Sequence, residues 1–325
     1  MKEGRKSVQE QQFYAIKHKN LNIRMNSRSG GFFTSLSDYI IEQGGIVYGC
    51  ILNEEFEAEH IRADNFHDRD RMRGSKYIQS DIKQCYIQAK KDLEQGKIVL
   101  FTGTPCQIAG LKAYLNQEYD KLITMDIICH GVPSPLVWKD YIVWNERKYK
   151  GVCVFADFRD KKNFGWRAHF ETLELEDEGK RFLKSSDIYA KLFYSNFIVR
   201  PACYACPYKC LNRVADITIG DFWGIEKTQP EFDDNKGISL VIINGKKGID
   251  YFNKIKDSIE VKECVQGECM QEPLINPYSE PHDREKFWEE YAKNPFSYIV
   301  RKYGQKNFQY YVQKAKCKIT NILKK

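Results

Sequence analysis

Two cysteines stand two residues apart in Cys203-Tyr-Ala-Cys206-Pro207, a spacing that lets both sulfurs face one metal centre. The pair alone could equally be a dithiol redox couple or half of a zinc site. Two more cysteines adjoin Gly and Pro loops: Cys106 in Gly103-Thr-Pro-Cys-Gln107 and Cys129 in Cys129-His-Gly131. Free cysteine is often only a small buried hydrophobe, but neither of these falls inside a strand pattern. Cys106, Cys129, Cys203 and Cys206 together make a four-thiol set suited to a shared metal. His130 could tune such a centre or relay protons through its ring N–H, as a candidate catalytic group. A hydrogen bond to backbone is its plainer role.

A different chemistry is offered by Arg73-Gly74-Ser75-Lys76-Tyr77, which holds two cations, a hydroxyl and a ring within five residues. Arginine takes phosphate in a bidentate way, so this segment could clamp a pyrophosphate or an acidic coenzyme. An ordinary solvated basic loop is the alternative. Ser29-Gly30-Gly31, before a helical pattern, could bring backbone N–H groups to a phosphate, although paired glycines mostly mark turns. No GxGxxG follows a strand, so a Rossmann dinucleotide site is not supported.

These residues need elements to position them. Phe32, Phe33, Leu36, Tyr39 and Ile40 have helical spacing, closed by Gly44-Gly45, and Ile46 to Leu52 then reads as a strand. A helix from about Asp81 to Glu94 precedes the apolar run Ile98 to Phe101, a strand buried on both faces. Thr104 and Pro105 open the next helix as N-cap and first residue. Leu122 to Ile128 forms a strand running into Cys129, with another helix after Pro133. Alternating strands and helices predict an α/β fold, mixed with α+β features, around a mainly parallel sheet flanked by helices. Cys106 and Cys129 then lie at the carboxyl edge, where open α/β sheets place ligands. Val152 to Phe158, Arg167 to Leu175 and Arg181 to Leu183 alternate without intervening helices, which predicts an antiparallel insertion over about 151–185.

A helical pattern from Asp187 to Phe197 leads into the cysteine pair. Asp216 to Trp223 and Ile238 to Ile243 read as strands, Lys247 to Asp257 as a helix, and the end from Asp283 as helical and basic. The expected division is a main cofactor-binding domain over 1–280 and a basic helical C-terminal extension over 281–325. Asp216 and Asp221 are expected to cap loops, and Trp223 to sit in the core. Cys50, Cys85 and Cys153 fall within strand or helix patterns and also read as core. Cys264 and Cys269 give no second site.

Composition narrows the classes. The 325 residues are 42% hydrophobic and 29% charged, as in a folded globular protein. The N-terminus has no apolar run of signal-peptide type, and no stretch reaches the roughly 18 apolar residues of a membrane span. A cytoplasmic location is therefore expected, and in such a chain eleven cysteines, an odd number, speak for ligation or packing rather than a disulfide scaffold. The net charge of +7 comes with no zinc-finger, RNP or helix-turn-helix pattern, so no nucleic-acid partner is expected. Eight basic and no acidic residues lie in 301–325, with Phe308, Tyr311, Val312, Ala315, Ile319, Ile322 and Leu323 at helical spacing. A packed terminal helix is one reading. Peripheral contact with the inner face of an anionic membrane is the other, each lysine contributing about 1 kcal/mol.

The segments Phe101-Thr-Gly-Thr-Pro-Cys-Gln-Ile-Ala-Gly110, Asp126-Ile-Ile-Cys-His-Gly-Val-Pro-Ser134, Arg73-Gly-Ser-Lys-Tyr-Ile-Gln-Ser80 and Asp216-Ile-Thr-Ile-Gly-Asp-Phe-Trp-Gly224 resemble the coenzyme F-420 hydrogenase/dehydrogenase beta-subunit family. Ser29-Gly-Gly31 and the Cys203/Cys206 pair fit the same pattern, and the resemblance runs from about Tyr14 to Ile243. It implies an iron–sulfur flavoprotein oxidoreductase passing electrons between a 4Fe–4S cluster, FAD and a redox partner or small-molecule substrate. Cys106, Cys129, Cys203 and Cys206 carry over as the cluster ligands; Cys210 does not. Ser29, Gly30, Gly31, Arg73, Ser75, Lys76 and Tyr77 are the expected flavin contacts.

Relatives differ on whether coenzyme F-420 itself is used, and some bacterial ones occur with polysaccharide-assembly enzymes. Longer members begin with a ferredoxin-like segment. No cysteine precedes Cys50 here, so the expected donor is a separate ferredoxin or electron-donor subunit. Two other readings stay open. One is a non-redox accessory protein of a polysaccharide pathway, with the same four cysteines around structural zinc. The other is a scaffold that has lost its cofactors.

Overall fold

The computed structural model describes residues 11–305. The chain begins with β1 (Gln12–His18), α1 (Leu21–Asn26) and α2 (Phe32–Glu42), then β2 (Ile46–Leu52), β3 (Ala58–Ala63) and α3 (Phe66–Arg71). Next come α4 (Cys85–Glu94), β4 (Val99–Gly103), α5 (Pro105–Leu115), β5 (Leu122–Ile127) and α6 (Pro135–Tyr149). The insertion holds β6 (Val152–Asp157), α7 (Lys161–Phe164), β7 (Glu171–Asp177) and β8 (Lys180–Ser186), followed by α8 (Ile188–Tyr194). Then follow β9 (Ile217–Asp221), α9 (Ile225–Thr228), β10 (Ser239–Ile243), α10 (Lys246–Lys254), β11 (Ile259–Cys264), α11 (Gln266–Cys269) and α12 (Arg284–Lys293).

One eight-stranded sheet carries the order β11-β1-β10-β9-β5-β4-β2-β3. Its centre, β2, β4, β5 and β9, is parallel, as the alternating strands and helices predict. The flanks are antiparallel, β3 on β2 at one side and β10, β1 and β11 at the other. The sequence pattern does not announce β1, β3 or β11. Ile259–Cys264 is an edge strand whose side chains are mostly exposed, so it lacks the apolar run that marks β4. Helix α4 starts at Cys85 rather than near Asp81, because Asp81 bridges to Glu59 and its backbone pairs with Ala58 and His60 instead.

Two apolar layers sandwich the sheet. Phe32, Leu36 and Ile40 of α2 pack with Phe252 of α10 on one face. Ala89, Leu93, Ile108 and Leu111 of α4 and α5 cover the other.

The insertion folds as the expected antiparallel sheet, in the order β6-β7-β8. Its Leu173 and Leu175 share a core with Trp138 of α6, Tyr189 of α8 and Phe287 of α12, so that C-terminal helix is packed rather than free. The residues from 306 on, which include most of the expected basic tail, lie outside the described residues.

Glu171 is buried in this core at 1% exposure. Its carboxylate accepts from the Tyr141 hydroxyl at 3.0 Å, the Ser186 hydroxyl at 2.6 Å and the Tyr189 N–H at 2.8 Å. Burial outweighs these bonds and raises its pKa from 4.5 to about 7. The folded state therefore holds the proton more tightly than the unfolded chain. The associated stability is complete below pH 4.5, drains away as pH rises, and is gone above about pH 7. Compared with Glu171→Gln, the wild type should lose roughly 2–3 kcal/mol between pH 5 and pH 8. Urea midpoints of both proteins at the two pH values check this; parallel curves would contradict it.

A cysteine-lined cavity at the sheet's carboxyl edge

Strands β4 and β5 are parallel neighbours, with Gly103 opposite Asp126. The chain leaves both at the same edge. After β4, Thr104 caps α5 in extended conformation, and its N–H donates to Gln107 Oε1 at 2.9 Å. Pro105 fills the first helical position, which puts Cys106 in the first turn, exposed and 3.1 Å from the Thr104 hydroxyl. After β5, the Ile128 N–H is held by the Ile219 carbonyl at 2.8 Å, and Cys129 follows.

The later pair is brought to this edge by the chain after α8. Residues Pro201–Ala205 form a short 3-10 turn, and the Cys203 side chain lies beside Gly131. Backbone bonds pin the approach: Ser134 N–H to Ile198 at 2.9 Å and Arg200 N–H to Val132 at 3.0 Å.

The thiols feel one another. Burial pushes Cys129 up to about 12, and the charges of Cys203 and Cys106 push the same way, while Lys209 opposes them. Cys203 is raised by burial and by Cys206 and Cys106, again against Lys209. Crowded thiols of this kind lose their protons readily only when positive charge arrives with a ligand. Among the described residues, no three His, Cys, Asp or Glu side chains are grouped so as to hold a single metal ion. The four thiols are neighbours without single-ion spacing. As an all-sulfur donor set at one sheet edge, they fit a thiolate-held cluster.

Two cations that no sequence motif marks organise this edge. Lys209 is buried and donates to the His130 carbonyl at 2.6 Å. Arg213 donates to the carbonyls of Tyr208 at 2.9 Å and Cys210 at 3.3 Å, and to that of Ile127 at 3.1 Å. It also meets buried Asp126 at 3.0 Å. Arg213 thus ties the segment after the Cys203/Cys206 pair to the end of β5. Only the sheet topology reveals it.

His130 Nε2 donates to Asn196 Oδ1 at 2.8 Å, and the ring packs 4.2 Å from the Tyr278 ring. Burial lowers its pKa to about 4, so it is neutral at physiological pH. One ring nitrogen is therefore committed to Asn196.

Beside Cys106 and Cys129 opens a cavity of about 1080 Å³, lined also by His130, Ser29, Gly31 and Arg73 to Tyr77. The two candidate phosphate motifs meet at the start of α2. Gly31 caps that helix at φ 95°, and Arg73 Nε donates to the Thr34 hydroxyl at 3.1 Å. Gly30 does not line the cavity. A Cβ there would lie 2.0 Å from the Ile16 carbonyl and 2.6 Å from the Ser239 nitrogen, so glycine lets the loop lie on β1 and β10. Ser75 faces the cavity. Lys76 lines it too, but its ammonium donates to the carbonyls of Arg71, Met72, Arg73 and Gly74. Tyr77 stacks on Phe193 with centroids 4.7 Å apart, and its hydroxyl accepts from Arg159 at 3.0 Å.

Two expectations change, those for Trp223 and Cys50. Trp223 is a cavity wall stacked on Trp166 at 5.1 Å, not a core residue. Cys50 also lines the cavity, whereas Cys85 and Cys153 are buried as expected. Cys264 and Cys269 are in contact, with the Cys269 thiol donating to Cys264 and holding its pKa down. Asp216 keeps its expected structural role, accepting from the Thr124 N–H at 2.8 Å and hydroxyl at 2.7 Å.

Fold and site define a mixed α/β protein with a cysteine cluster opening on a ligand-sized cavity. The chain belongs to the family described as the C-terminal part of the beta subunit of coenzyme F420 hydrogenase/dehydrogenase, whose model matches residues 96–266. All four candidate ligand cysteines fall inside that match; Ser29–Gly31 and Arg73–Tyr77 precede it. The family is one of redox enzymes, so the chain is related to oxidoreductase subunits. Among solved structures the chain is similar to one from the F420-reducing [NiFe] hydrogenase complex of Methanosarcina barkeri, studied by xenon derivatization. Sequence identity is 17%, with 77% of this chain and 81% of that chain covered and a TM-score of 0.48. No curated protein matches the chain.

Proposed function

We propose that this chain is an iron–sulfur flavoprotein oxidoreductase. Cys106, Cys129, Cys203 and Cys206 would hold one 4Fe–4S cluster, and FAD would occupy the adjoining cavity near Ser29–Gly31 and Arg73–Tyr77. The observation that carries this reading is that four thiols from three separate segments come close enough to feel one another, and two of them, Cys106 and Cys129, line one large cavity. Bound together, the two groups supply one-electron and two-electron transfer side by side. The chain's own residues bind and enclose. The start of α2 and Arg73 offer N–H donors to phosphate, Phe193 and Tyr77 wall the interior, and neutral His130 orients the loop after Cys129. The electron donor is a separate ferredoxin or partner subunit, and the acceptor is a small molecule or coenzyme F-420.

Anaerobic purification tests the reading. A brown protein with about four iron and four sulfide per chain, and extractable FAD, is expected. A colourless protein carrying one zinc would end it in favour of a structural thiolate site. The basic segment 301–325 adds a proposal of peripheral membrane contact. Unchanged liposome flotation after truncation near Gly304 would remove that proposal.

A further inference from the structure

At the β9 end of the cavity, away from Cys106, the loop after α1 places Arg28 in the wall. Its side chain is 9% exposed, with Nε 3.3 Å from Asp221 Oδ2. Nη2 donates to the Trp166 carbonyl at 2.7 Å. Nη1 is buried and has no hydrogen-bond partner among the described residues. Buried guanidinium donors are normally satisfied, because an unpaired charged donor away from water is costly. Arg28 also lines the cavity, so an anion bound there would meet this guanidinium.

The surroundings suit an anion. Arg159 is also buried, with its guanidinium over Trp223 at 5.5 Å and its Nε on the Ala168 carbonyl at 2.9 Å. His169 is held at about 4 by burial and by the charges of Arg159 and Arg28, so it adds no charge at neutral pH. Asp221 is the carboxylate facing Arg28, and it already accepts from Trp166 Nε1 at 2.8 Å as well as from Arg28 Nε. Its two oxygens hold those donors and leave Nη1 unmatched.

We propose that Arg28 anchors the phosphoryl or carboxylate group of an organic anion bound in this cavity. The inference rests on the cavity being a ligand site. It goes further in naming the residue and the ligand chemistry. That anion has two sources: the phosphates of the flavin nucleotide, or an acidic second substrate.

Inorganic pyrophosphate is the probe, titrated calorimetrically into the full-length protein with and without its flavin. The wild type should bind it, and Arg28→Gln should weaken binding at least about tenfold. FAD content of the same preparations separates the sources. Loss of FAD from Arg28→Gln assigns Arg28 to the flavin phosphates. Retained FAD with lost pyrophosphate binding assigns it to a second substrate. A wild type without FAD that still binds pyrophosphate through Arg28 sinks the flavin reading and leaves the anion site standing. Equal FAD content together with no Arg28-dependent pyrophosphate binding overturns the proposal. Should Arg28→Gln fail to fold, Arg28→Lys replaces it. A compact ammonium cannot reach the separate positions that Nε, Nη1 and Nη2 occupy, so a loss of about fivefold is expected; unchanged affinity would overturn the proposal.

Discussion

Replacing Cys129 with alanine is expected to cut iron and acid-labile sulfide from about four each per chain to near zero, with loss of visible colour. Cys129 is the proposed ligand to remove because its thiol is raised by burial and then by the charges of Cys203 and Cys106. Cys210→Ala is the control. Its thiol donates only to the Pro207 and Asn212 carbonyls, and it lies outside the ligand set. Iron content should be unchanged in that variant. A group bound only by the folded chain stabilises it by mass action, so Cys129→Ala should also melt earlier than wild type. Full iron retention in Cys129→Ala would remove Cys129 from the site.

Arg213→Met should cost about 3–5 kcal/mol, the usual penalty for breaking a buried ion pair from one side. Arg213 and Asp126 are 1% and 0% exposed in their side chains. Burial already raises the Asp126 pKa, and Arg213 is the chief opposing charge. Without Arg213 that carboxylate is stranded. The carbonyls of Tyr208, Cys210 and Ile127 also lose their donor. Urea unfolding of the metal-free protein measures the stability change apart from any cluster. Adding Asp126→Asn to Arg213→Met should restore part of the loss, because the stranded charge is gone. If the double variant is no more stable than Arg213→Met, the ion pair is not the reason. Iron content of Arg213→Met should fall as well, since the segment after Cys206 is no longer tied to β5.

The parallel centre and the place of Cys106 and Cys129 were legible because they rest on strong local signals. The Ile98 to Phe101 run and the Thr104-Pro105 cap each dictate their own conformation. The antiparallel flanks were not: β3 is a short, polar-faced partner of its neighbour β2, and β11 is a mostly exposed edge strand whose partner β1 lies at the far end of the chain. The four cysteines were legible through spacing and resemblance, while Arg213, Lys209 and Arg28 were hidden. Each acts on backbone or charge brought near only by folding, and a single Arg or Lys looks like surface in a sequence. Lys76 shows the converse. It stands in a motif that reads as a phosphate clamp, yet its ammonium closes the end of α3 on four carbonyls.

The bonds at the base of the insertion carry a consequence for how this architecture can drift. Cys129 and Cys203 are joined through the whole of α6, β6 to β8 and α8, but the two ends of that excursion are already clamped together. Pro133 bridges to Val199, beside the Ser134–Ile198 and Arg200–Val132 bonds. Closure entropy is thus met by backbone pairing before any ligand arrives, and it grows only with the logarithm of loop length. The exposed Glu178-Gly179 turn between β7 and β8 can therefore lengthen or accept inserted sequence while the thiol ring keeps its spacing. The insertion is a module whose outer tip is free to change and whose root is not.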